Sequence, residues 1–365
     1  MGAIDRFDVI VVGGGPGGSV AAKKCAEAGF KTLLLEKKKL PRDKVCTGML
    51  MGPWATDTIQ QEFGEVPKDV LADPYYLSGH MIHVPEIEPQ IIEWWTPMGW
   101  RKDLDFWMNQ QTQKAGVEIR DGNRVIRVVQ QGNRCTVILK KGEEHQEFSS
   151  RFVIGADGAT SVVRKSLFPE LKVRYTGPTR ECYEGSLDLD RNYMHWFFPR
   201  YRPRPRFDLN YKGDFFIIEG SGVRELRNEI NETLKNYGFD PTEEPLWKDG
   251  CVEPRLHSEL ISGTFSPALG NILLIGDAAG LLFPITFEGI GTALKSGIAA
   301  AHAICEAAPL GKEPAEIYLQ EIKSILEVLK RLYNLQEKLN QEATKGAKAL
   351  SEGLRAAYEE TLKVD

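Results

Sequence analysis

The sequence lacks the cysteine pattern of a disulfide framework or a zinc site. Its six cysteines (Cys25, Cys46, Cys135, Cys182, Cys251, Cys305) are scattered, with no CxxC pair. That predicts a reducing, cytoplasmic setting and no bound metal. No apolar run reaches the length of a membrane span; peripheral membrane contact stays open. The start, MGAIDRFDVIVVGGG, carries no basic flank followed by a cleavage site, so no signal peptide is expected. A formal net charge of -5 gives no general affinity for nucleic acid. Internal repeats and low-complexity linkers are missing too. What is present is an ordinary globular composition, 42% hydrophobic and 27% charged, over 365 residues. That length suffices for two or three domains.

DVIVVGGG reads as a buried parallel strand, a short valine-rich run ended by glycines. GGSVAAKKCAEAGF continues as a helix with Val20, Ala21, Ala22, Cys25 and Ala28 on one face, and KTLLLEK is the next strand. Together they form a βαβ unit. From about residue 40 to 95 the pattern predicts loops with a few strands. RKDLDFWMNQQTQKAG reads as a helix, and the stretches after it, to residue 158, alternate like antiparallel strands. Residues 169–255 are strand-like and aromatic, with one helix, VRELRNEINETLKNYG. NILLIGDAAG is a third buried strand, followed by the helix EGIGTALKSGIAAAHAICEA. After Pro314 a helical stripe runs through Leu319, Ile322, Leu326, Leu329 and Tyr333. It covers the first domain or docks a partner. The expected architecture is α/β. A nucleotide-binding domain is built from the discontinuous segments 1–75, 99–170 and 259–312. Segments 76–98 and 171–258 form an inserted β-rich domain, and 313–365 is a C-terminal helical segment.

Three junctions carry chemistry. In VVGGGPGG, Gly13 permits a tight turn, Gly15 lets backbone approach a pyrophosphate, and Gly18 lets the helix pack closely on the strand. Phosphates would sit on the helix N-terminus. Glu36, closing the second strand, is placed to accept hydrogen bonds from ribose hydroxyls. In FVIGADGATSVVRK, Asp157 follows a buried strand. In NILLIGDAAGLLFPITFEGIGTALKSG, Asp277 ends another, and a new helix opens at Gly289 and Ile290.

This triple set resembles the FAD-dependent oxidoreductases of the p-hydroxybenzoate hydroxylase class, over most of Phe7 to Ala307. The resemblance implies a Rossmann-type FAD-binding domain with an inserted substrate domain. It implies FAD with its adenosine on Glu36 and its pyrophosphate at Gly13 to Gly18. Asp157 would approach the flavin and pyrophosphate, Asp277 the ribityl chain, and Gly289 and Ile290 the ring. Arg101, in RKDLDFW, matches a helix start that also approaches FAD. Within the class, LPRDKVCTGML resembles the geranylgeranyl reductase group at Lys44, Cys46 and Gly48, with Thr47 replacing a glycine. FPITFEGI resembles it too, with Phe287 where glycine is usual. Lys44 is therefore counted with the cofactor-binding residues.

NYMHWFFPR packs five rings, counting His195, into the six residues from Tyr193 to Phe198. It resembles a motif that lines the substrate cavity in that group. Trp196, Phe198 and Pro199 match; Met194 stands where an aromatic is usual. The resemblance implies a wall of Met194, Trp196, Phe198 and Phe287, with Cys46, Tyr193 and His195 as candidate acids. RYRPRPRF offers Arg200, Arg202, Arg204 and Arg206 as a solvated edge or an anion site. Trp94, Trp95 and Trp100 line the entrance or belong to the core.

The function expected from the resemblance is FAD-dependent reduction of carbon–carbon double bonds in a hydrophobic, prenyl- or acyl-type substrate. The alternatives are an aromatic or polyketide monooxygenase, a flavin-dependent halogenase, and a non-catalytic flavoprotein. No second GxGxxG appears, so the electron donor is NADPH visiting the site or an external redox partner.

Overall fold

The computed structural model of the protein describes residues 5–141, 144–199, 207–221 and 223–364. Two large sheets organise it. In the first, Ile272–Leu274, Glu144–Gly155, Asp5–Val12, Thr32–Leu35 and Glu118–Arg120 lie side by side and parallel. The inner strands carry the aliphatic runs of the sequence, buried on both faces as parallel strands require, whereas the edge strand Glu118–Arg120 is partly exposed. Glu144–Gly155 gives one edge to Asp5–Val12 and divides the other. Its first half pairs with Arg134–Lys141 and its second half with Ile272–Leu274. The turns after Val12, Gly155 and Leu274 therefore open on one carboxyl edge, where ligands of such sheets bind.

Backbone contact fixes the helices on this sheet. Helix Pro16–Glu27 crosses helix Ile290–Ala307 so closely that a Cβ on Gly297 would lie 2.6 Å from the Gly17 carbonyl oxygen. Arg164, 1% exposed, ties the second and third junctions together. Its guanidinium donates to the carbonyl oxygens of Ala159 (2.5 Å), Ala278 (2.7 Å) and Asp277 (3.3 Å).

The second sheet has seven strands, in the order Trp247–Gly250, Thr179–Glu184, Phe215–Gly220, Phe207–Lys212, Tyr193–Phe197, Leu71–His83, Gln90–Gly99. Leu71–His83 lies whole within it, so a division at residue 75 would cut a strand. One face stacks Tyr183, Phe197, Phe207, Leu209, Tyr211 and Phe216 against helix Val223–Leu234. Burying each such ring stabilises by roughly 1.5–3 kcal/mol. The other face looks toward the first sheet.

The C-terminal helices close the structure. Ile322, Ile325, Leu329 and Leu332 are buried within the chain. Tyr318 donates to the Leu274 carbonyl at 2.6 Å, and Tyr358 packs edge-on against Trp196. Among the described residues no helix is long and apolar enough to cross a membrane. Helix Pro53–Phe63 lies in the stretch expected to hold only loops and strands. Pro53 stands at its first turn after Gly52, a start signal that the irregular surroundings mask.

The aromatic segment is a central strand, and that corrects four placements. Met194 (0% exposed) and Phe198 (1%) are buried in the core and do not line a cleft. Tyr193 lies at the sheet's rim and donates to Glu93 Oε1 at 3.1 Å. His195 is buried, with Nε2 donating to the Asp190 carbonyl (2.9 Å) and Nδ1 accepting from His83 Nε2 (3.0 Å). A strand with neighbours on both sides and cores on both faces has no side chain left for a cavity except at its end. There Trp196 donates its Nε1–H to His80 Nδ1 at 3.1 Å.

These hydrogen bonds need an unprotonated Nδ1 on His80 and on His195. Burial lowers His80 to about 4 and His83 to about 3, and lowers His195 as well. Unfolded histidine binds its proton near ~6.5, so between those values the unfolded chain holds more protons than the folded one. Stability is then full above about 6.5 and falls as the pH drops toward 4. The urea midpoint should fall across that window, and less steeply in His83→Gln. An equal slope in the variant would contradict a neutral buried His83.

Candidate functional site

One cleft of about 1510 Å³ runs along the carboxyl edge of the first sheet and under the second. Small-molecule pockets usually occupy ~300–1,000 Å³, so a dinucleotide and a second molecule fit together. Gly13, Gly15, Gly18, Glu36, Lys44, Cys46, Arg101, Asp157, Asp277, Gly289 and Ile290 all line it, as do Trp196 and Phe287. The residues expected from three distant stretches of sequence thus meet in one place. Tyr193, Met194, His195 and Phe198 do not.

The glycine turn is a cradle. Gly13 has φ +113°, and a Cβ on Gly18 would stand 1.9 Å from the Gly13 carbonyl oxygen. At Gly15 a Cβ would meet only Arg42, at 3.7 Å, so that side opens to the cleft. Helix Pro16–Glu27 starts there with no side-chain cap. Its first N–H groups are left for an anion. Glu36 is already oriented. Its Oε2 accepts from Gly14 N (3.0 Å) and pairs with Arg42 Nε (3.1 Å), and its Oε1 accepts from Lys38 N (2.9 Å).

A chain of alternating charge continues from it. Arg42 Nη1 lies 3.0 Å from Asp105 Oδ2, an ion pair off the hydrogen-bond line. Asp105 accepts both Nε (2.7 Å) and Nη2 (3.0 Å) of Arg101. This network anchors the segment bearing Lys44 and Cys46 over the cleft. Cys46 Sγ accepts from Gly48 N at 3.3 Å and lies within electrostatic reach of Arg101 and Lys212.

At the second junction the Asp157 carboxyl is committed to its own helix. It accepts from Ser161 Oγ (2.5 Å), Val162 N (2.6 Å) and Val163 N (3.2 Å). At the third, Asp277 Oδ2 lies 4.0 Å from Lys44 Nζ. Glu288 Oε1 accepts from Gly291 N at 2.7 Å, and burial raises its carboxyl to about 7. Phe287 holds φ +56°, a strained value for any residue but glycine, with the Arg255 guanidinium 4.6 Å over its ring.

The second sheet's contribution escaped the sequence reading. Arg180, Asp208, Glu219 and Asp249 line the cleft, and Lys212 is buried beside it. Lys212 donates to the Gly99 carbonyl at 2.8 Å and sits 4.3 Å over the Trp100 ring; burial pushes it down to about 7. The signal is the alternation FDLNYK, which puts Asp208, Asn210 and Lys212 on one face. Such a pattern normally means one solvated face; here both are buried. Trp100 lines the cleft, whereas Trp95 is exposed and stacks on Tyr76 at 3.9 Å. The arginines from 200 to 206 lie outside the described residues.

Comparisons with known proteins bear on the family and the fold. A family model described as FAD dependent oxidoreductase matches residues 8–169. Digeranylgeranylglycerophospholipid reductase 1 of Methanopyrus kandleri is 30% identical over 321 residues, 83% of this chain and 81% of that protein. The geranylgeranyl diphosphate reductase of Rhodobacter capsulatus is 29% identical over 357 residues, 90% of this chain and 83% of its own. A geranylgeranyl bacteriochlorophyll reductase-like protein of Thermoplasma acidophilum has the same fold, with TM-score 0.76 and 20% identity over 98% of both chains.

FAD fits the cleft: the Gly15 side of the cradle is open, the helix N-terminus is uncapped and the Glu36 carboxylate is held in place. Glu36→Gln keeps the shape and removes the charge. With ~1.5–3 kcal/mol for a charged hydrogen bond, FAD affinity should weaken about ten- to a hundredfold. Titration of apoprotein by flavin fluorescence measures it, and unchanged affinity would remove Glu36 from the adenosine site. The chain belongs to the geranylgeranyl reductase group of the FAD-dependent oxidoreductases, and it is an FAD-dependent enzyme.

Proposed function

We propose that the enzyme reduces carbon–carbon double bonds of a hydrophobic, prenyl- or acyl-type substrate. The carrying observation is that one continuous cleft joins the dinucleotide cradle to Trp196 and Phe287, in a chain alike over most of its length to relatives named for geranylgeranyl reduction.

In this reading Gly13 to Gly18 and the helix start behind them hold the pyrophosphate, and Glu36 holds the adenosine ribose. Asp277, steadied by Lys44, faces the ribityl chain, and Gly289 and Ile290 present a helix N-terminus to the ring, where it stabilises negative charge. Arg101, fixed by Asp105, closes the cofactor side. When bound and reduced, FAD supplies the hydride. Trp196 gives the substrate a flat apolar wall, held in orientation by His80 and Tyr358. Phe287 narrows the opening between that wall and the cofactor. Cys46 projects from the loop over the same space, beside Arg101 and Lys212. NADPH or an external electron carrier provides the electrons.

The deciding experiment is anaerobic. Protein carrying FAD reduced with dithionite should be reoxidised by geranylgeranyl-type or unsaturated acyl substrates, and products should gain two hydrogens per reduced bond. If reoxidation needs air and consumes oxygen with the substrate, the reductase reading fails and a monooxygenase takes its place.

Phe287→Gly relieves the positive φ and widens the cleft. FAD content should hold, while the ratio of kcat/KM for bulky over slim substrates rises several-fold; an unchanged ratio would take Phe287 out of substrate selection.

A further inference from the structure

The cleft-facing side of the second sheet carries a row of opposed residues across five strands. Trp196 pairs with Asp208, Asp208 with Glu219, Glu219 with Arg180, and Arg180 with Asp249. All five line the cleft. Directly opposed residues hold their Cβ atoms only about 4.5–5.5 Å apart, and two like charges so placed repel. Asp208 and Glu219 are nonetheless neighbours, with Asp208 8% exposed.

The nearby cations do not resolve this conflict. Arg180 spends its guanidinium on Asp249, through Nε (2.9 Å) and Nη2 (2.6 Å), and on the Cys46 carbonyl, through Nη1 (2.7 Å). Lys212 gives its ammonium to the Gly99 carbonyl. Among the described residues neither Asp208 Oδ1 nor Glu219 Oε2 has a hydrogen-bond partner. Two adjacent carboxyls, one buried and one half-buried, are accommodated when one proton is shared between them. Burial raises both carboxyls; the charge of Glu219 raises Asp208 further, that of Asp249 raises Glu219, and Arg180 opposes the rise in both. Lys212 and Lys44 also act on Glu219, Glu253 and Cys251 face it, and Tyr358 faces Asp208. Lys44 links the pair to the redox end of the cleft, since it also sits 4.0 Å from Asp277.

We propose that Asp208 and Glu219 hold one proton between them and deliver it to the substrate carbon next to the one that takes the hydride. This rests on the reductase reading above. The balance is complete. The alkene π bond breaks, one C–H bond forms with the hydride and its electron pair from reduced FAD, and a second forms with the proton of the carboxyl O–H. FAD leaves oxidised, and the carboxylate left behind is reprotonated from solvent through the open cleft. Trp196, opposite Asp208 in the ladder, sets the alkene beside the pair.

The test uses FAD-loaded protein with Glu219→Gln, Asp208→Asn and Glu219→Asp. Infrared spectroscopy of the oxidised wild type at neutral pH should show a protonated-carboxyl band that both amide variants lose. General acids contribute typically ~10²–10⁴-fold. Single-turnover alkene reduction should therefore slow at least a hundredfold in both amide variants, with FAD content and dithionite reduction unchanged. Glu219→Asp should recover part of the rate. The wild-type rate should fall as pH rises above the ordinary carboxylate range, and this limb should vanish in the amide variants. Wild type in D2O should place deuterium on one face of one carbon. A missing infrared band, or amide variants that reduce alkenes at the wild-type rate, would overturn the proposal. A wild type that keeps the band and reduces no alkene would instead bring down the reductase reading, and proton delivery with it.

Discussion

The chain of alternating charge from Glu36 through Arg42 and Asp105 to Arg101 is the interaction on which the cleft depends. Its members come from a strand end, a long connection and a helix start, all buried or nearly so. Removing one member of such a set leaves a charge unpaired away from water, at about 3–5 kcal/mol. The connection it ties down has little regular structure of its own, yet it carries Lys44 and Cys46 over the cleft. A hydrophobic staple would hold the loop equally well. Charge has the further effect of fixing the Glu36 carboxylate in place beforehand, so a ligand hydroxyl meeting it would find less ordering left to do.

The same logic explains what was legible in the sequence. The three junctions were readable because each is local: a glycine turn or a carboxylate at the end of an apolar strand, then a helix. Their convergence could be inferred from the resemblance alone, and the structure supplies its cause in the divided edge of Glu144–Gly155, the backbone contact at Gly297 and the Arg164 clasp. The aromatic segment was readable as a strand but not by face. Alternation says which side chains share a side; it does not say which side meets a cavity. Tyr193 and His195 therefore looked as eligible as Trp196. FDLNYK is ambiguous in another way, because a polar face buried against a cleft carries the same signature as one bathed in water. Arg180, Glu219 and Asp249 come from strands far apart in sequence, and only the ladder register sets them in a row.

That row also separates the two faces of one sheet by chemistry. Toward helix Val223–Leu234 the strands present stacked aromatics that need no partner beyond each other. Toward the cleft they present carboxyls, a guanidinium and an ammonium, whose desolvation is tolerated only because some are paired and others neutralised. Such a surface is a poor lining for a purely hydrocarbon cavity. It suits a site in which an apolar chain lies along Trp196 while charge moves beside it.

Glu253 and Glu288 sharpen the point. Burial raises each to about 7, and the charge of Asp277 adds to the rise in both. Carboxyls poised there respond to any further negative charge at this end of the cleft by binding protons more tightly. A two-electron carrier gains negative charge on reduction, so electrons arriving would draw protons onto the acids around it. Groups on a solvated surface would be screened from that charge and would not respond. The buried placement of these acids, which costs folding stability as the pH rises through their folded values, is what would make proton loading follow electron loading.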